Sequence, residues 1–153
     1  MKVCIGGTFD HLHKGHKTLI NKACETAGEH GLVFIGITTN SLVAPKKNVK
    51  SFENRKETVE QYLFKEKKTQ RYIIQPIYDK YGPTLTEDFD AIIISPETKQ
   101  TAEQINKIRV KKGKKPLQIV QIPFILADDN KPISSSRIRR KEIDTDGRVF
   151  KRD

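Results

Sequence analysis

Residues 6–19 read GGTFDHLHKGHKTL and follow a short apolar run, KVCI, at residues 2–5. The apolar run is typical of a buried strand. Residues 15–29 then place apolar side chains at helical spacing, and Gly31 is positioned to end that helix. The stretch therefore predicts the strand, loop and helix that open an α/β domain, with His13 and His16 at the junction.

Strand and helix patterns alternate along the rest of the chain. Further strands are predicted at residues 32–39, 71–77, 91–94 and 117–122, and further helices at about 51–64, 99–111 and 134–141. Pro76 indicates that the third strand lies at a sheet edge. This order predicts a single-domain, Rossmann-like α/β fold, with a doubly wound parallel five-stranded sheet and helices on both faces. The domain would span residues 1–143, and residues 144–153 would form a polar C-terminal tail.

The charge of the chain favours anionic partners. The 153 residues carry a formal net charge of +10, which suits nucleotides or phosphorylated metabolites, although a lysine-rich solvated surface would give the same excess. The basic run at 107–115 lacks interleaved aromatic residues, so we do not expect nucleic-acid binding.

Cys4 and Cys24 lie at apolar positions, as buried thiols do in a reducing compartment, and no apolar run reaches membrane-spanning length. We expect a soluble cytoplasmic protein.

Three interpretations of His13 and His16 compete. A metal site would need further ligands, and neither His30 nor the cysteines complete a cluster. His16 falls on the apolar stripe of its helix and could be a core residue. In the third interpretation the histidines contact phosphate, because Gly6 and Gly7 allow close backbone approach and the first turn of the helix would present unpaired N–H groups.

Two motifs carry a family resemblance. Residues 7–10 (GTFD) with 13–16 (HKGH) resemble the signature of the HxGH nucleotidyltransferase superfamily, and residues 133–139 (ISSSRIR) resemble its second motif, the ISSSxxR type. Residues 94–98 (ISPET), followed by Ile105-Asn106 and Arg109, resemble a segment of archaeal phosphopantetheine adenylyltransferases. The resemblance implies transfer of the adenylyl group of ATP to 4′-phosphopantetheine, giving dephospho-coenzyme A and pyrophosphate. A flavin adenylyltransferase or a cytidylyltransferase would share the first motif.

The resemblance also implies site residues. The catalytic set would be Thr8, His13, His16 and Lys46, with Lys47 as the alternative bridging lysine. ATP would be bound by Gly7, Thr8, His13, His16, Ser95, Pro96, Glu97, Arg109, Ser134, Ser135, Ser136 and Arg137, with Arg139 as the alternative to Arg137. Phosphopantetheine would be bound by Thr8, Phe9, Lys46, Lys47, Asp79, Gly82 and Pro83.

The resemblance has consequences for cofactors and partners. Mg²⁺ would arrive with ATP and not in a cage of protein ligands. Dephospho-coenzyme A would be the product, and coenzyme A a possible inhibitor. Asp10 would orient the loop or a histidine, or would cap a helix. The sequence does not indicate an oligomeric state.

Overall fold

The computed structural model of the protein describes residues 1–43 and 48–150. Its strands are β1 (Lys2–Gly7), β2 (Leu32–Thr38), β3 (Arg71–Ile77), β4 (Ala91–Ile94) and β5 (Gln118–Gln121). Its helices are α1 (Lys14–Ala27), α2 (Asn40–Val43), α3 (Phe52–Lys65), α4 (Lys99–Lys111) and α5 (Ser135–Arg139), with 3₁₀ turns at Gly82–Leu85 and Pro96–Thr98. None of the helices in these ranges is long and apolar enough to cross a membrane.

The five strands form one parallel sheet in the order β3-β2-β1-β4-β5. The predicted Rossmann-like parallel sheet is therefore confirmed, and β3 lies at an edge, as Pro76 indicated. The chain first builds outward from β1 through β2 to β3, and then returns to the other side of β1 for β4 and β5. Strand order thus reverses beside β1, and in such sheets ligands bind beyond the carboxyl ends of the strands at that reversal.

Helices cover both faces of the sheet. Alternate residues of a strand point to opposite faces. Ile5 accordingly packs with residues of α1 and α3, such as Ile20 and Val59, whereas Cys4 packs with residues of α4, such as Ile105. These two clusters form the core and hold the carboxyl ends of β1 and β4 in place.

The C-terminal segment folds back onto the domain. Ala127, Ile133 and Ile143 form a small third cluster, and the amide of Lys14 donates to the carbonyl of Thr145 at 2.9 Å. The amide of Asp128 likewise donates to the carbonyl of Gly147 at 2.9 Å. Residues 144–150, which the sequence predicted as a polar tail, are therefore hydrogen-bonded to the start of α1 and to the loop after β5.

Candidate active site

A cavity of about 390 Å³ lies where the strand order reverses, at the carboxyl ends of β1 and β4. Its lining is mostly the two predicted motifs and the segment after β5: Gly6, Gly7, Thr8, Phe9, Asp10, His13, Gly15, His16, Leu19, Val49, Ser95, Glu97, Thr98, Ile122, Pro123, Phe124, Ile125, Ile133, Ser134, Ser135, Ser136 and Arg139. Motifs from the two ends of the chain therefore share one cavity.

A second cavity of about 290 Å³ adjoins the first and shares Gly6, Gly7 and Thr98 with it. Its walls are largely apolar and come from the face of the sheet that α4 covers, with Phe34, Ile77, Pro83, Ala102 and Ile105 among them. The first cavity is rich in hydrogen-bonding groups, whereas the second offers mainly apolar contact. The pair suits a ligand, or two ligands, with a charged end and an uncharged end.

His13 and His16 form a reciprocal cap at the start of α1. The Nδ1 atom of His13 accepts from the amides of Gly15 at 3.0 Å and His16 at 3.3 Å, while Nδ1 of His16 accepts from the amide of His13 at 3.3 Å. The two rings stack with centroids 3.7 Å apart. The arrangement is a capping box made of imidazoles in place of hydroxyl and carboxylate groups.

Burial keeps both rings neutral, and the cap determines which ring nitrogen carries the proton. Burial lowers the pKa of His13 to about 4, and lowers that of His16 well below its usual 6.5, with the neighbouring histidines acting in the same direction. Both rings are therefore neutral near neutral pH. Because each Nδ1 atom accepts a hydrogen bond, each ring carries its proton on Nε2. Both histidines line the first cavity, so each can offer an Nε2–H donor to an anion there.

The first-turn amides of α1 are already paired, which corrects one expectation. Lys14 donates to Thr145, Gly15 and His16 donate to His13 Nδ1, and Lys17 donates to the His13 carbonyl at 3.0 Å. The predicted anion contact through this helix N-terminus is therefore not available. The Nδ1 atoms of the two imidazoles accept hydrogen bonds from amides at this helix start, and the Nε2–H groups of the rings remain as the donors that a ligand could contact.

Asp10 joins three segments around the cavity and is 1% exposed. Its Oδ1 atom accepts from the amide of Lys50 at 3.1 Å, and its Oδ2 atom accepts from the guanidinium of Arg139. Its carbonyl oxygen accepts from the hydroxyl of Ser135. The expectation that Asp10 orients the loop agrees with these contacts, which also attach the loop to the second motif.

Arg139, and not Arg137, is the arginine of the second motif that lines the cavity. Arg137 donates through Nε to Glu142 at 2.9 Å and also pairs with Asp129, and these contacts raise its pKa. Its guanidinium is engaged by carboxylates beside the third cluster and lines neither cavity. Of the two arginines that the sequence left open for an ATP contact, the structure therefore brings Arg139 and not Arg137 to the cavity.

All three serines of the second motif line the first cavity, but their hydroxyls are used differently. Ser134 is the N-cap of α5 and accepts from the amide of Arg137 at 3.2 Å, and Ser136 accepts from Arg139 Nη2 at 3.1 Å. Ser135 instead donates its only hydroxyl proton to Asp10. Since a hydroxyl has one proton to donate, Ser134 and Ser136 retain a donor for a phosphate oxygen, and Ser135 serves to hold the loop.

Arg109 does not line the first cavity. It is 2% exposed on α4, and its guanidinium donates to the carbonyls of Thr84 at 2.7 Å, Glu87 at 2.8 Å and Lys115 at 2.9 Å. These contacts tie the turn before β4 to the turn before β5. The structure therefore does not bring Arg109 to the cavity where its predicted phosphate contact would be made, because its guanidinium is directed to carbonyls inside the protein.

The remaining predicted residues divide between the two cavities. Ser95 and Glu97 line the first cavity. Pro96, which lies between them and begins the 3₁₀ turn Pro96–Thr98, lines neither cavity. Phe9 lines the first cavity and packs its ring 5.2 Å from that of His16.

On the predicted pantetheine side, Gly82 and Pro83 line the second cavity. Asp79 shapes their turn by accepting from the amides of Tyr81 and Gly82, each at 2.8 Å. Lys46 and Lys47 lie outside the described residues.

Sequence reasoning missed two features of the site. Arg55 is 1% exposed on α3 and donates to the carbonyl of Thr8 at 2.9 Å. The sequence did contain a signal for a buried arginine, because Arg55 lies four positions before Val59 and therefore on the buried stripe of the helix. The second feature is the part of the cavity wall that follows β5. Pro123 and Phe124 line the cavity there, directly after the strand predicted at residues 117–122, and nothing in the sequence indicated that the site extends beyond that strand.

The described residues contain no group of three or more His, Cys, Asp or Glu side chains that could hold a metal ion. The carboxylates that line the first cavity are Asp10 and Glu97, and Asp10 is already paired with Arg139 and the Lys50 amide. These side chains do not fit a cage for Mg²⁺.

Comparison with known proteins agrees with this geometry. The sequence matches the cytidylyltransferase-like family over residues 4–141. The phosphopantetheine adenylyltransferase of Methanosarcina mazei is 46% identical over 151 residues, covering 98% of this chain and 97% of that protein. The phosphopantetheine adenylyltransferase of Archaeoglobus fulgidus is 39% identical over 151 residues, covering 98% of this chain and 100% of that protein.

Solved structures show the same fold. A protein of unknown function from Archaeoglobus fulgidus superimposes with a TM-score of 0.71 at 36% identity, covering 80% of this chain and 89% of that one. A pantoate-beta-alanine ligase from Francisella tularensis, at 17% identity and a TM-score of 0.54, covers 91% of this chain and 65% of that one and shares the fold alone. The chain belongs to the cytidylyltransferase-like family and, within it, to the phosphopantetheine adenylyltransferases.

Proposed function

We propose that this protein transfers the adenylyl group of ATP to 4′-phosphopantetheine, a step of coenzyme A biosynthesis that gives dephospho-coenzyme A and pyrophosphate. The observation that carries the proposal is the meeting of a donor-rich cavity and an apolar cavity at Gly6, Gly7 and Thr98. Phosphates need hydrogen-bond donors, whereas the pantetheine arm is uncharged and benefits from apolar contact. The names of the relatives support the same pair of substrates.

The reaction requires alignment and charge stabilisation more than proton transfer. An oxygen of the phosphopantetheine phosphate forms a bond to the α-phosphorus of ATP, and the bond from that phosphorus to the β-phosphate oxygen breaks. The attacking phosphate is already anionic, so no general base is needed. The protein must bring two anions together and stabilise the charge that develops between them.

The donors around the first cavity suit that task. His13 and His16 offer neutral Nε2–H groups, and Ser134 and Ser136 offer hydroxyl protons. Arg139 pairs with Asp10 through Nη1 and with Ser136 through Nη2, and its remaining N–H groups are the guanidinium donors beside the cavity. Neutral imidazole donors can bind phosphate without the pH sensitivity of a charged histidine. Lys46 or Lys47 as the lysine that bridges the two reacting phosphates stays a prediction.

We place Mg²⁺ with ATP, as the counterion of the triphosphate, because the described side chains do not form a cage for it. When bound, the ion supplies positive charge to the polyphosphate. Inhibition by coenzyme A, whose pantetheine arm would occupy the second cavity, is part of the same proposal.

The test is pyrophosphate release by the purified protein with ATP, Mg²⁺ and 4′-phosphopantetheine. CTP replaces ATP, and flavin mononucleotide replaces the acceptor, in parallel reactions. We expect release only with ATP and phosphopantetheine together, and its loss in His16→Ala but not in His30→Ala, whose histidine is exposed and lines neither cavity. Release with a different pair would refute the substrates, and no release with any pair would refute the activity.

A further inference from the structure

Arg55 is buried behind the first cavity and joins the ends of two strands. Its Nη1 atom donates to the carbonyl of Thr8 at 2.9 Å and to the hydroxyl of Thr38 at 3.3 Å. Its Nη2 atom donates to Asn40 Oδ1 at 3.2 Å, and its Nε atom donates to the carbonyl of Lys50 at 2.9 Å. A guanidinium in this place holds Thr8, beyond the end of β1, against Thr38, the last residue of β2.

The hydroxyls of Thr38 and Thr8 continue the contact toward the cavities. The hydroxyl of Thr38 donates to that of Thr8 at 3.2 Å. Thr8 lines the first cavity and Thr38 lines the second, so the two hydroxyls lie at the boundary between them.

These hydrogen bonds run in one direction, from Arg55 through Thr38 to Thr8. A guanidinium can donate hydrogen bonds but cannot accept one, so Thr38 must accept from Arg55. The Thr38 oxygen keeps its own proton and a second lone pair, and in the structure that proton is donated to the hydroxyl oxygen of Thr8. Because Thr8 accepts in this contact, its single hydroxyl proton is available for a donor contact in the first cavity, which Thr8 lines.

We propose that Arg55 is a positioning residue: acting through Thr38, it fixes the hydroxyl of Thr8 as a hydrogen-bond donor to the phosphate of phosphopantetheine. The inference rests on the proposed function for the identity of that phosphate. In the opposite arrangement Thr8 would donate to Thr38 and direct its lone pairs at an incoming anion, and the guanidinium disfavours this by occupying one of the two lone pairs of Thr38.

Substitutions at Thr38 isolate the relay, because they leave Arg55 and Thr8 in place. Thr38→Val removes the hydroxyl and keeps the shape, whereas Thr38→Ser keeps the hydroxyl. Binding of 4′-phosphopantetheine and of unphosphorylated pantetheine is measured by calorimetry on the full chain. We expect Thr38→Val to weaken phosphopantetheine binding about tenfold more than it weakens pantetheine binding, because Thr38 also lines the second cavity, and we expect Thr38→Ser to restore the wild-type ratio of the two affinities.

Arg55→Lys is the second variant, and Arg109→Lys is its matched control. Both arginines are buried and donate to backbone carbonyls, but Arg109 lines neither cavity and lies on α4, which covers the other face of the sheet. Of its three carbonyl partners, Thr84 lines the second cavity, and Glu87 and Lys115 line neither cavity. Both variants should unfold at lower denaturant concentrations than the wild type. Under conditions where circular dichroism shows both to be folded, only Arg55→Lys should lower kcat/KM for phosphopantetheine, by about tenfold, with the KM for ATP unchanged.

The outcomes separate this inference from the proposed function. Equal phosphopantetheine affinities for Thr38→Val and Thr38→Ser in a wild type that turns over would overturn the relay and keep the function. Phosphopantetheine binding that depends on the Thr38 hydroxyl, in a wild type without adenylyl transfer, would support the relay and overturn the function. A wild type that does not bind phosphopantetheine would overturn both, and equal losses in Arg55→Lys and Arg109→Lys would reduce Arg55 to a packing role.

Discussion

Acidification should destabilise the protein through the imidazole that caps α1. His13 accepts two amide hydrogen bonds at Nδ1, so a proton on that atom would break both. In the unfolded chain the histidine takes up a proton near its ordinary pKa of 6.5, whereas in the folded protein burial lowers its pKa to about 4. Between these values the unfolded state binds more protons than the folded state, and the free energy of unfolding falls as the pH falls.

The size of the effect follows from the two pKa values. A difference from 6.5 to about 4, at about 1.4 kcal/mol for each pH unit, amounts to a loss of about 3 kcal/mol that is complete below the folded-state pKa. His16 adds a loss of the same sign, since burial also lowers its pKa. Typical domains have a total stability of about 5–15 kcal/mol, so the loss should be easy to measure.

The assay is urea unfolding at a series of pH values between about 7 and about 4, followed by circular dichroism. His13→Asn keeps a side-chain acceptor at the N-cap but does not titrate. Its free energy of unfolding should therefore fall over this range by about 3 kcal/mol less than that of the wild type. His30→Asn, at an exposed histidine, is the matched control and should follow the wild type. If the wild type and His13→Asn lose stability in parallel, the neutral cap inferred for His13 is wrong.

Three further substitutions test other parts of the site. In Asp10→Asn the amide keeps the shape of the side chain but loses the ion pair with Arg139, so the free energy of unfolding in urea should fall by about 2 kcal/mol; unchanged stability would contradict the linking role of Asp10. In Gly15→Ala the new Cβ would lie 2.9 Å from Cε1 of His13, so the ring must move, and kcat for pyrophosphate release should fall about tenfold without loss of helical circular dichroism. An unchanged kcat would show that the position of this ring is not critical. Thr101→Phe places a ring in the second cavity and should raise the KM for phosphopantetheine about tenfold. An equal rise in the KM for ATP would argue against separate cavities for the two substrates.

The sequence was sufficient to predict the sheet because its strands are short apolar runs separated by amphipathic segments. Ser51 was predicted as a helix cap, and its hydroxyl accepts from the amide of Asn54 at 3.2 Å. The end of α1 was placed too late, because Gly28, with φ of 84°, already terminates the helix before Gly31. The short helix α2 and the two 3₁₀ turns were not predicted, since a few residues carry too little periodicity.

The site was harder to predict because sequence reasoning identifies a residue without its orientation. Arg109 and Arg137 looked like phosphate ligands by type and position, but both are engaged by acceptors within the protein. Arg55 was not predicted as a site residue because a charged residue on an apolar helix stripe does not indicate which acceptors its side chain will contact. The side-chain directions of these arginines depend on carbonyls and carboxylates that only the folded chain brings near.

The contacts of Asp10 affect when the site can form during synthesis of the chain. Its partners Ser135 and Arg139 follow it by 125 and 129 residues, so the ribosome must make most of the protein before the loop can be fixed. Contacts of such long sequence separation form late, after the strands and helices that bring the partners together. A nascent chain that has already made most of the sheet therefore still lacks the contacts that attach the Asp10 loop to the second motif beside the first cavity.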